Sequence, residues 1–405
     1  MKKIIICFAF LFFWNSLFGQ EFRFTQDSGN EYRIVSEVKQ GVFFNDELLG
    51  SSIILNRIAV KILDSDENGA DLEVNYGISE QSLDKSLYIF RMEELVRFHR
   101  AHNGLYDDIP SDQYLPSVRN VPSFPDKILS PGDSWSAMAE EVHDLYPFFQ
   151  LNYRLHIPFR VFYTYSGTDM YQDRPVDVID IAYHFFFDLD VYSLPPDVLK
   201  GDNEDLPTSV AGDFKQRYLW DREAGIPAAV SEEFRIVYGM SSGNSYIFKG
   251  NAEGEVVEAD QWEKESVKDM IEDVIQDENL EDISVSLSEE GVVLILEEIH
   301  FHPDTANFLS GETEKLRDLA AIICEFPEHD LLITGHTAFV GEYSSGQVLS
   351  EERALAVGKF FLDEGIKSSS EMVIEGKGSS EPMADNNSEE GRKQNRRVEI
   401  TILDN

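Results

Sequence analysis

Apolar and polar residues alternate with a period of two along most of the chain between residues 20 and 260. At 153–163 every odd position is apolar and most even positions are polar, and 179–191 repeats the pattern. Shorter alternating runs lie at 32–42, 58–62, 72–78, 234–238 and 246–248. Clusters of Asp, Asn and Gly separate these runs, which is typical of turns. The pattern predicts an antiparallel sheet whose strands each bury one face.

A proline-rich segment at 104–136 interrupts the alternation. Its five prolines are Pro110, Pro116, Pro122, Pro125 and Pro131. We interpret the segment as a long ordered connection that ends with Trp135 packed against the sheet.

Residues 262–280 are acidic and follow a helical spacing instead. Apolar residues recur there at i, i+3, i+4 and i+7, which places on one face Val267, Met270, Ile271, Val274 and Ile275. We predict a helical linker that packs between two domains.

Beyond the linker, strand and helix patterns follow one another. Apolar runs at 283–287 and 292–296 flank Ser-Glu-Glu-Gly, which predicts a hairpin. Helices are predicted at about 311–325 and from Ser350 as an N-cap, with a buried strand at 331–334 between them. The last strands are predicted at 372–375 and 398–402. This order implies a mixed sheet with helices on one face.

The chain is therefore predicted to be an α+β protein in four parts. These are a signal peptide at 1–19, an antiparallel β-rich domain at 20–261, a helical linker at 262–280 and a mixed-sheet domain at 281–405. Lys2 and Lys3 precede an apolar stretch that is too short to span a bilayer stably, as in secretory signals. Cys324 lies in an apolar helical stretch and is predicted to be a buried, inert thiol.

The charge balance narrows the classes of partner. Lys and Arg total 34 against 75 Asp and Glu, which gives a formal net charge of −41. Such a field repels nucleic acids and anionic lipid surfaces, so neither is expected as a partner. No Ser-His-Asp, Cys-His or paired-carboxylate arrangement is recognisable, and neither is a phosphate-binding loop. The sequence therefore gives no argument for an enzyme or for a cofactor.

Six motifs in the C-terminal part occur in a distinctive order. They are Gly-Val-Val-Leu-Ile-Leu at 291–296, Ile-His-Phe-His-Pro-Asp-Thr-Ala at 299–306, Ile-Thr-Gly-His-Thr at 333–337, Leu-Ser-Glu-Glu-Arg-Ala at 349–354, Gly-Lys-Gly at 376–378 and Gly-Arg-Lys-Gln-Asn-Arg-Arg-Val-Glu-Ile at 391–400. Each motif alone is weak. As a set they resemble the OmpA-like C-terminal domain, the module that ties bacterial envelope proteins to peptidoglycan.

The resemblance implies a binding site that is incomplete in this chain. In that family, an Asp in the loop after the Gly-His-Thr strand and the Arg of the Leu-Ser-x-x-Arg-Ala motif grip diaminopimelate in the peptidoglycan stem. Arg353 stands at the Arg position, whereas Ala338 replaces the Asp between Thr337 and Phe339. A charge-assisted hydrogen bond contributes about 1.5–3 kcal/mol, so its loss weakens the contact by roughly one to two orders of magnitude.

Three features of this site stay open from the sequence. Arg397 matches a family arginine near the ligand, where it would add a carboxylate contact; an ion pair with Glu399 is the alternative. The missing Asp has three explanations: a different stem diamine, replacement by Glu342, or loss of wall binding. For Arg353 the alternative is a surface charge paired with a local acid.

A metal site is the weaker interpretation of the histidines at 300–304. His300 and His302 share one face of a strand and could hold a metal together with Asp304. No further ligand at a suitable spacing is visible, so we favour solvent-facing polar positions at a strand end and predict no metal.

The favoured function is that of an exported, periplasmic cell-envelope protein whose C-terminal domain contacts peptidoglycan non-covalently. An association with the outer membrane is a further expectation. Its N-terminal domain would take an envelope protein as partner. One alternative is a periplasmic structural or protein-interaction module that has lost wall binding. A second alternative is an outer-membrane β-barrel tethered to the wall.

Overall fold

The computed structural model describes residues 19–404, except for 83–85, 111, 191–193, 195–197, 199–204, 259–262, 278–279, 281–282, 289, 297–300, 303–304 and 339–342. Nearly all of the predicted signal peptide lies outside the described residues. None of the helices in the described part of the chain is long and apolar enough to cross a membrane.

Ten long antiparallel strands form the N-terminal region. They are β1 (Glu31–Phe44), β2 (Glu47–Ser65), β3 (Gly69–Ser82), β4 (Tyr88–Ala101), β7 (Ser134–Asp144), β8 (Arg154–Tyr171), β9 (Arg174–Asp188), β10 (Pro207–Asp221), β11 (Ile226–Met240) and β12 (Ser245–Glu258). The pairing order is β4-β3-β2-β1-β12-β11-β10-β9-β8-β7. Two-residue strands β5 (Tyr106–Asp107) and β6 (Val118–Arg119) extend β4 and β7, and a short helix α1 (Tyr146–Phe149) follows β7. The predicted antiparallel β-rich region is confirmed.

Tight turns with positive φ connect the longest hairpins. Asn45 and Asp46 join β1 to β2 with φ values of 46° and 70°, and Gln172 and Asp173 join β8 to β9 with 46° and 62°. Two consecutive left-handed residues match the right-handed twist of paired strands, so these turns fix the hairpin register.

The sheet curls around an aromatic core. Nδ1 of His143 on β7 lies 2.5 Å from the hydroxyl of Tyr238 on β11, four strands away. In a flat sheet four strand spacings would separate them by about 19 Å, so the sheet must be strongly curved. Trp135 stacks on Tyr163 at 5.0 Å, and its Nε1 donates to the carbonyl of Ser123, which ties the proline-rich connection to this core.

The C-terminal region is a five-stranded mixed sheet with helices. Its elements are α2 (Lys264–Asp277), β13 (Ile283–Leu287), β14 (Gly291–Leu296), α3 (Glu312–Ile323), β15 (Leu331–His336), α4 (Tyr343–Asp363), β16 (Met372–Gly378), α5 (Glu389–Asn395) and β17 (Val398–Leu403). The strand order is β13-β14-β17-β15-β16, with only β15 and β16 parallel. The apolar faces of α3 and α4 share one buried cluster with alternate residues of these strands. The predicted α+β class is confirmed.

A helix, α2, is present in the predicted linker; Ile271 is buried and Met270 is 46% exposed, because α2 lies on β13 and β14 through a narrow stripe. Two local predictions were wrong. The second helix begins at Tyr343 rather than at Ser350, which is fully buried inside it. Cys324 is exposed, because α3 ends at Ile323 and Cys324 is its C-cap.

The start of β4 completes the C-terminal core. Tyr88 and Ile89 pair in parallel with Val373 and Ile374 at the edge of the C-terminal sheet. Leu87 and Ile89 are 0% and 1% exposed and belong to the C-terminal apolar cluster. The predicted boundaries at 20–261 and 281–405 stay a prediction, but this core draws residues from both sides of them.

A glycine in α4 makes room for this contact. A Cβ atom on Gly358 would lie 2.9 Å from Cδ1 of Leu87 and 2.6 Å from Cδ1 of Ile374. Glycine inside a helix costs about 1 kcal/mol relative to alanine. Gly358 is therefore explained by the approach of Leu87 and Ile374 to the helix backbone.

The second face of the C-terminal sheet is covered as well. Five side chains that point away from α3 and α4 are at most 9% exposed: Val293, Ile295, Leu332, Val373 and Thr401. On this side Arg57 of β2 donates to Asp330 at 2.7 Å and to the carbonyl of Ser370 at 2.9 Å. Arg33 of β1 pairs with Asp404 at 3.7 Å. The outer side of β1 and β2 therefore lies against this face.

Replacing Leu87 by Ala should lower the free energy of unfolding by about 2–5 kcal/mol, the usual range for a buried leucine. Leu95→Ala is the matched control, because Leu95 is 57% exposed on β4 itself. The control should change stability by less than about 0.5 kcal/mol. Urea unfolding of the whole chain measures both, and equal effects would contradict the contact.

Candidate functional site

Two paired glycines bring α4 onto the end of the C-terminal sheet. Gly335 of β15 and Gly376 of β16 are direct neighbours in the parallel pairing. A Cβ on Gly335 would lie 2.0 Å from the carbonyl oxygen of Ser350, and one on Gly376 would lie 2.6 Å from the amide nitrogen of Glu351. No side chain larger than hydrogen fits there, so the backbones of helix and strands touch.

Ser350 fastens this contact. Its hydroxyl donates to the carbonyl of Gln347 at 2.7 Å and accepts from the amide of Gly378 at 2.8 Å. The serine thus joins α4 to the end of β16 and does not cap the helix. The predicted role of Ser350 as a helix N-cap is therefore wrong.

Thr337 follows β15 and faces the same helix. Its amide donates to the carbonyl of Gly378 at 2.7 Å. Its hydroxyl would lie 3.0 Å from a Cβ on Gly346 of α4, and it is buried without a hydrogen-bond partner among the described residues. Ala338 is half-buried beside it. Phe339 and Glu342 lie outside the described residues.

Arg353 contacts a small turn that follows β14. Its Nε donates to the carbonyl of Thr305 at 3.3 Å, and its guanidinium carbon lies 5.0 Å from the centre of the Phe301 ring. The Phe301 ring also stacks on Phe308 at 5.1 Å, which supports its position under the arginine. A carbonyl and an aromatic face thus orient the guanidinium.

Thr337 and Arg353 lie on the same side of α4. Gly346, which contacts Thr337, lies seven residues before Arg353 in α4. Seven residues are about two helical turns, so both positions share a face and are separated by about 10 Å along the axis. The structure thus brings Thr337 and Arg353 to one side of α4.

Arg397 occupies a different environment. It is 5% exposed, its Nε donates to Glu399 at 2.6 Å, and its two terminal nitrogens lie 3.3 Å from the carbonyl of Glu381. The ion pair with Glu399, one of the two sequence-based interpretations, is therefore present. Alternation along β17 puts both residues on the sheet face opposite α4.

His336 lies beside Glu399 and Arg397 on that face. His336 is 1% exposed, and its Nε2 lies 3.6 Å from Oε1 of Glu399. Burial alone would raise the pKa of Glu399, but His336 and Arg397 outweigh burial and hold the pKa at about 2. The sequence analysis assigned no role to His336, because its position beside Glu399 depends on the pairing of β15 with β17.

The histidine cluster at 300–304 receives no support as a metal site. His300 and Asp304 lie outside the described residues, and His302 is exposed in the turn that holds Thr305. In the described ranges, no group of three His, Cys, Asp or Glu residues is arranged to hold a metal ion.

Comparison with known proteins identifies the C-terminal region. Residues 300–396 match the model of the OmpA family, so this region is an OmpA family domain. No family model matches the N-terminal region.

Individual relatives agree with this assignment and cover only part of the chain. Motility protein B of Bacillus subtilis is 28% identical over 151 residues, or 36% of this chain and 58% of that protein. The outer-membrane lipoprotein YfiB of Pseudomonas aeruginosa is 35% identical over 101 residues, or 25% of this chain and 55% of that protein. The chain thus spans just over half the length of these relatives.

One solved structure that is similar to part of this chain is that of an outer membrane protein from Borrelia burgdorferi. The sequence identity is 31%, and the match covers 30% of this chain and 96% of that protein, with a TM-score of 0.26.

Glu399→Gln should destabilise the protein most at neutral pH. Because the folded-state pKa of about 2 lies below the usual 4.5, ionisation of Glu399 stabilises the fold above about pH 4.5. This stabilisation, about 3 kcal/mol, is lost as the pH falls towards 2. The difference in unfolding free energy between wild type and variant should shrink over that range.

Glu389→Gln is the control for this experiment, because Glu389 pairs with Arg392 and Arg396 in an exposed setting. Its effect should be small at every pH. A gap between wild type and Glu399→Gln that does not change between pH 7 and 2.5 would contradict the assignment.

Proposed function

We propose that this chain is a periplasmic cell-envelope protein whose OmpA family domain associates with peptidoglycan through Arg353. The single observation that carries the proposal is the placement of Arg353. A carbonyl and an aromatic ring orient it on the same side of α4 as the hydroxyl of Thr337, which has no hydrogen-bond partner among the described residues. The OmpA family match of residues 300–396 supports it. The relative named outer-membrane lipoprotein supports an envelope location associated with the outer membrane.

The proposed ligand is a carboxylate of the stem peptide. The planar guanidinium of Arg353 suits two carboxylate oxygens, and the hydroxyl of Thr337 would donate or accept a further hydrogen bond. Ala338 offers no charge to the amine end of a diamino acid. Selectivity for diaminopimelate should therefore be low relative to carboxylate affinity. The proposed role is binding, without catalysis.

Arg397 has a positioning role in this proposal. Its guanidinium is buried against Glu399 and the carbonyl of Glu381, so it holds the loop before α5 against β17. This loop follows Gly378, whose carbonyl accepts from the amide of Thr337. Loss of Arg397 would disturb the site because this loop would no longer be held in place, and not because a ligand contact is removed.

The substitution at Ala338 favours a second candidate function. A domain that lacks one charged half of its ligand site could serve as a periplasmic protein-interaction module without wall affinity. The two functions differ in a direct measurement, namely the binding of the chain to purified sacculi.

Arg353→Ala should lower the affinity for sacculi by roughly tenfold to a hundredfold, the effect of one charge-assisted contact. Cosedimentation of the full chain with sacculi from a diaminopimelate-type wall gives the measurement. Lys359→Ala is the matched control, because Lys359 is exposed on the same helix and pairs with Asp363. The control should bind like wild type.

Ala338→Asp tests the missing half of the site. It restores an anion for the amine of diaminopimelate and should raise the affinity roughly tenfold or more. If wild type binds no sacculi and Ala338→Asp does not gain binding, the peptidoglycan proposal is wrong and the interaction module takes its place.

A further inference from the structure

Strand β7 at the end of the N-terminal sheet has one edge that is covered only in part. On one side β8 pairs with it along its whole length, from residue 134 to residue 144, without a shift in register. On the other side β6 pairs only with Glu140 and Glu141. In the part of the chain that the structure describes, no strand pairs with this edge between residues 134 and 139.

The hydrogen bonds around β7 show which residues point to the open edge. The carbonyl of Asp133 and the amide of Leu145 bond on the side of β8, whereas the amide of Val142 bonds on the side of β6. Because the direction alternates along an antiparallel strand, the odd-numbered residues of β7 bond to β8 and the even-numbered residues point the other way. Ser136 and Met138 therefore present their amides and carbonyls to the open edge.

The backbone itself ends the two short strands beside this edge. Asp108 follows β5 with a φ of 63°, and Asn120 follows β6 with a φ of 67°. A left-handed residue does not continue a strand, and aspartate and asparagine adopt this conformation more readily than most residues. The open edge is therefore a consequence of how β5 and β6 terminate.

The open part of β7 lacks the usual protection of an edge strand. Charged side chains, prolines or bulges guard most exposed edges against pairing. The part of β4 between its two short pairings is guarded in this way, with exposed Arg91, Glu93 and Arg97. Ser136 and Met138 are exposed as well but carry no charge. Strand β7 is therefore the edge that is suited to accept a further strand.

A cavity of about 360 Å³ adjoins this edge, which is at the lower end of the size of ligand pockets. Residues 106–109 of β5 and the following turn contribute one wall, and residues 138–140 of β7 contribute the other. Asn120 joins the walls, because its side-chain oxygen accepts from the amide of Tyr106 at 2.7 Å. Met138 thus belongs both to the open edge and to the cavity.

The cavity carries an excess of negative charge. Arg119 lines it and pairs with Glu140 at 3.1 Å, so these two charges offset each other. Asp107 and Asp108 on the opposite wall are exposed, and neither forms a salt bridge within the described ranges. The formal net charge of −41 adds to the attraction for a cation. A lysine or arginine side chain therefore complements the cavity.

Apolar side chains lie on the outer face of the sheet beside the cavity. Met138, Phe162 and Phe186 of β7, β8 and β9 are 52%, 49% and 67% exposed. They occupy even positions, whereas the odd positions of β8 and β9 contribute to the aromatic core. Pro158 of β8 is exposed on the same face and lines the cavity. An apolar group of this kind next to an open edge is typical of an interaction surface.

Pairing with β7 would fix the side-chain directions of an added strand. The residue opposite Met138 projects to the same face as Met138 and so towards the cavity. The residue two positions away lies opposite Ser136, whose other neighbour on that face is Phe162. A basic residue and an apolar residue two positions apart therefore fit this edge.

We propose that the open edge of β7 is the docking site for an extended, basic and apolar segment of a partner polypeptide. The segment adds a strand at Ser136 and Met138, and main-chain hydrogen bonds hold it there. It places a lysine or arginine in the cavity beside Asp107 and Asp108, with an apolar residue near Phe162. A second copy of this chain is a poor occupant, because both copies carry the same charge of −41.

A short peptide of this pattern is the probe. The blocked peptide acetyl-Thr-Val-Thr-Lys-Thr-Val-Thr-amide has the same order of side chains in both directions, so it suits either orientation of the added strand. Calorimetry with the full chain compares it with a peptide that has glutamate in place of the lysine. The lysine peptide should bind at least roughly tenfold more tightly, because the exchange replaces attraction to Asp107 and Asp108 by repulsion. Equal affinities, or no binding of the lysine peptide at millimolar concentration, would overturn the proposal.

Asp108→Asn and Asp46→Asn form a matched pair of variants. Both aspartates are left-handed, with φ values of 63° and 70°, and asparagine keeps this conformation. Asp46 lies in the turn between β1 and β2, away from the residues that line the cavity. Asp108→Asn should weaken binding of the lysine peptide roughly threefold or more, the size of a partly exposed ion pair, and Asp46→Asn should leave it unchanged. Wild-type affinity in a folded Asp108→Asn variant would contradict the proposed position of the lysine.

Met138→Pro tests the strand pairing itself. Proline is tolerated on an edge strand where the lost amide points away from the sheet, and it removes a donor that the added strand needs. Met138→Ala keeps the amide, so Met138→Pro should bind the lysine peptide roughly tenfold more weakly than Met138→Ala. Thermal unfolding checks the fold of both variants. Equal affinities of the two folded variants would count against strand addition.

Two N-methylated peptides give the same measurement on the unchanged protein. With the lysine opposite Met138, the lysine amide points to β7 and the amide of the next threonine points away. N-methylation of the lysine amide should weaken binding roughly tenfold relative to N-methylation of that threonine amide. Equal effects would exclude the proposed pairing.

Sedimentation of the chain alone distinguishes a second copy as the occupant. The proposal predicts no self-association through β7. A concentration-dependent dimer that Met138→Pro abolishes would show that two copies pair at this edge, and the assignment to a basic partner segment would then be wrong.

Discussion

Every strand has two faces, and the fold of this chain follows from how each face is covered. The N-terminal sheet curls until His143 reaches Tyr238, which closes its inner face over an aromatic core. The C-terminal sheet covers one face with α3 and α4. Its other face lies against β1 and β2, where Arg57 meets Asp330. The residues of α4 that form the proposed site therefore lie on a sheet that is buried on both sides.

The sequence was most informative where one local signal was strong. The alternation at 153–163 predicted a strand because each inward residue is apolar. Strand β4 was missed because its inward positions include Glu94 and Arg100, whose charges hide the alternation. In the structure Gln113 donates a hydrogen bond to Glu94, and Arg100 donates one to Gln26. Only the folded chain brings these residues together. Distant partners of this kind leave no periodic trace.

The candidate site, too, could be predicted from the sequence only in part. Arg353 could be identified from its motif, but its contact with Thr305 lies 48 residues away in sequence and depends on the turn that follows β14. The prediction of a helix start at Ser350 used a correct local preference. Tertiary packing overrode it, because Gly335 and Gly376 leave space for Ser350 within the helix. The buried position of His336 likewise depends on the pairing of β15 with β17 and on the cover of the second sheet face.

The insertion of Leu87 into the C-terminal core has a mechanical consequence. A domain joined to its neighbour by α2 alone would swivel, and force on it would pass through one helix. Here the strand pairing at Tyr88, the apolar contact of Leu87 with α4 and the ion pair of Arg57 hold it at separate points. Several attachment points resist torque as well as tension. A force applied to α4 is therefore transmitted directly to the long strands of the N-terminal sheet, and the two regions resist rotation relative to each other.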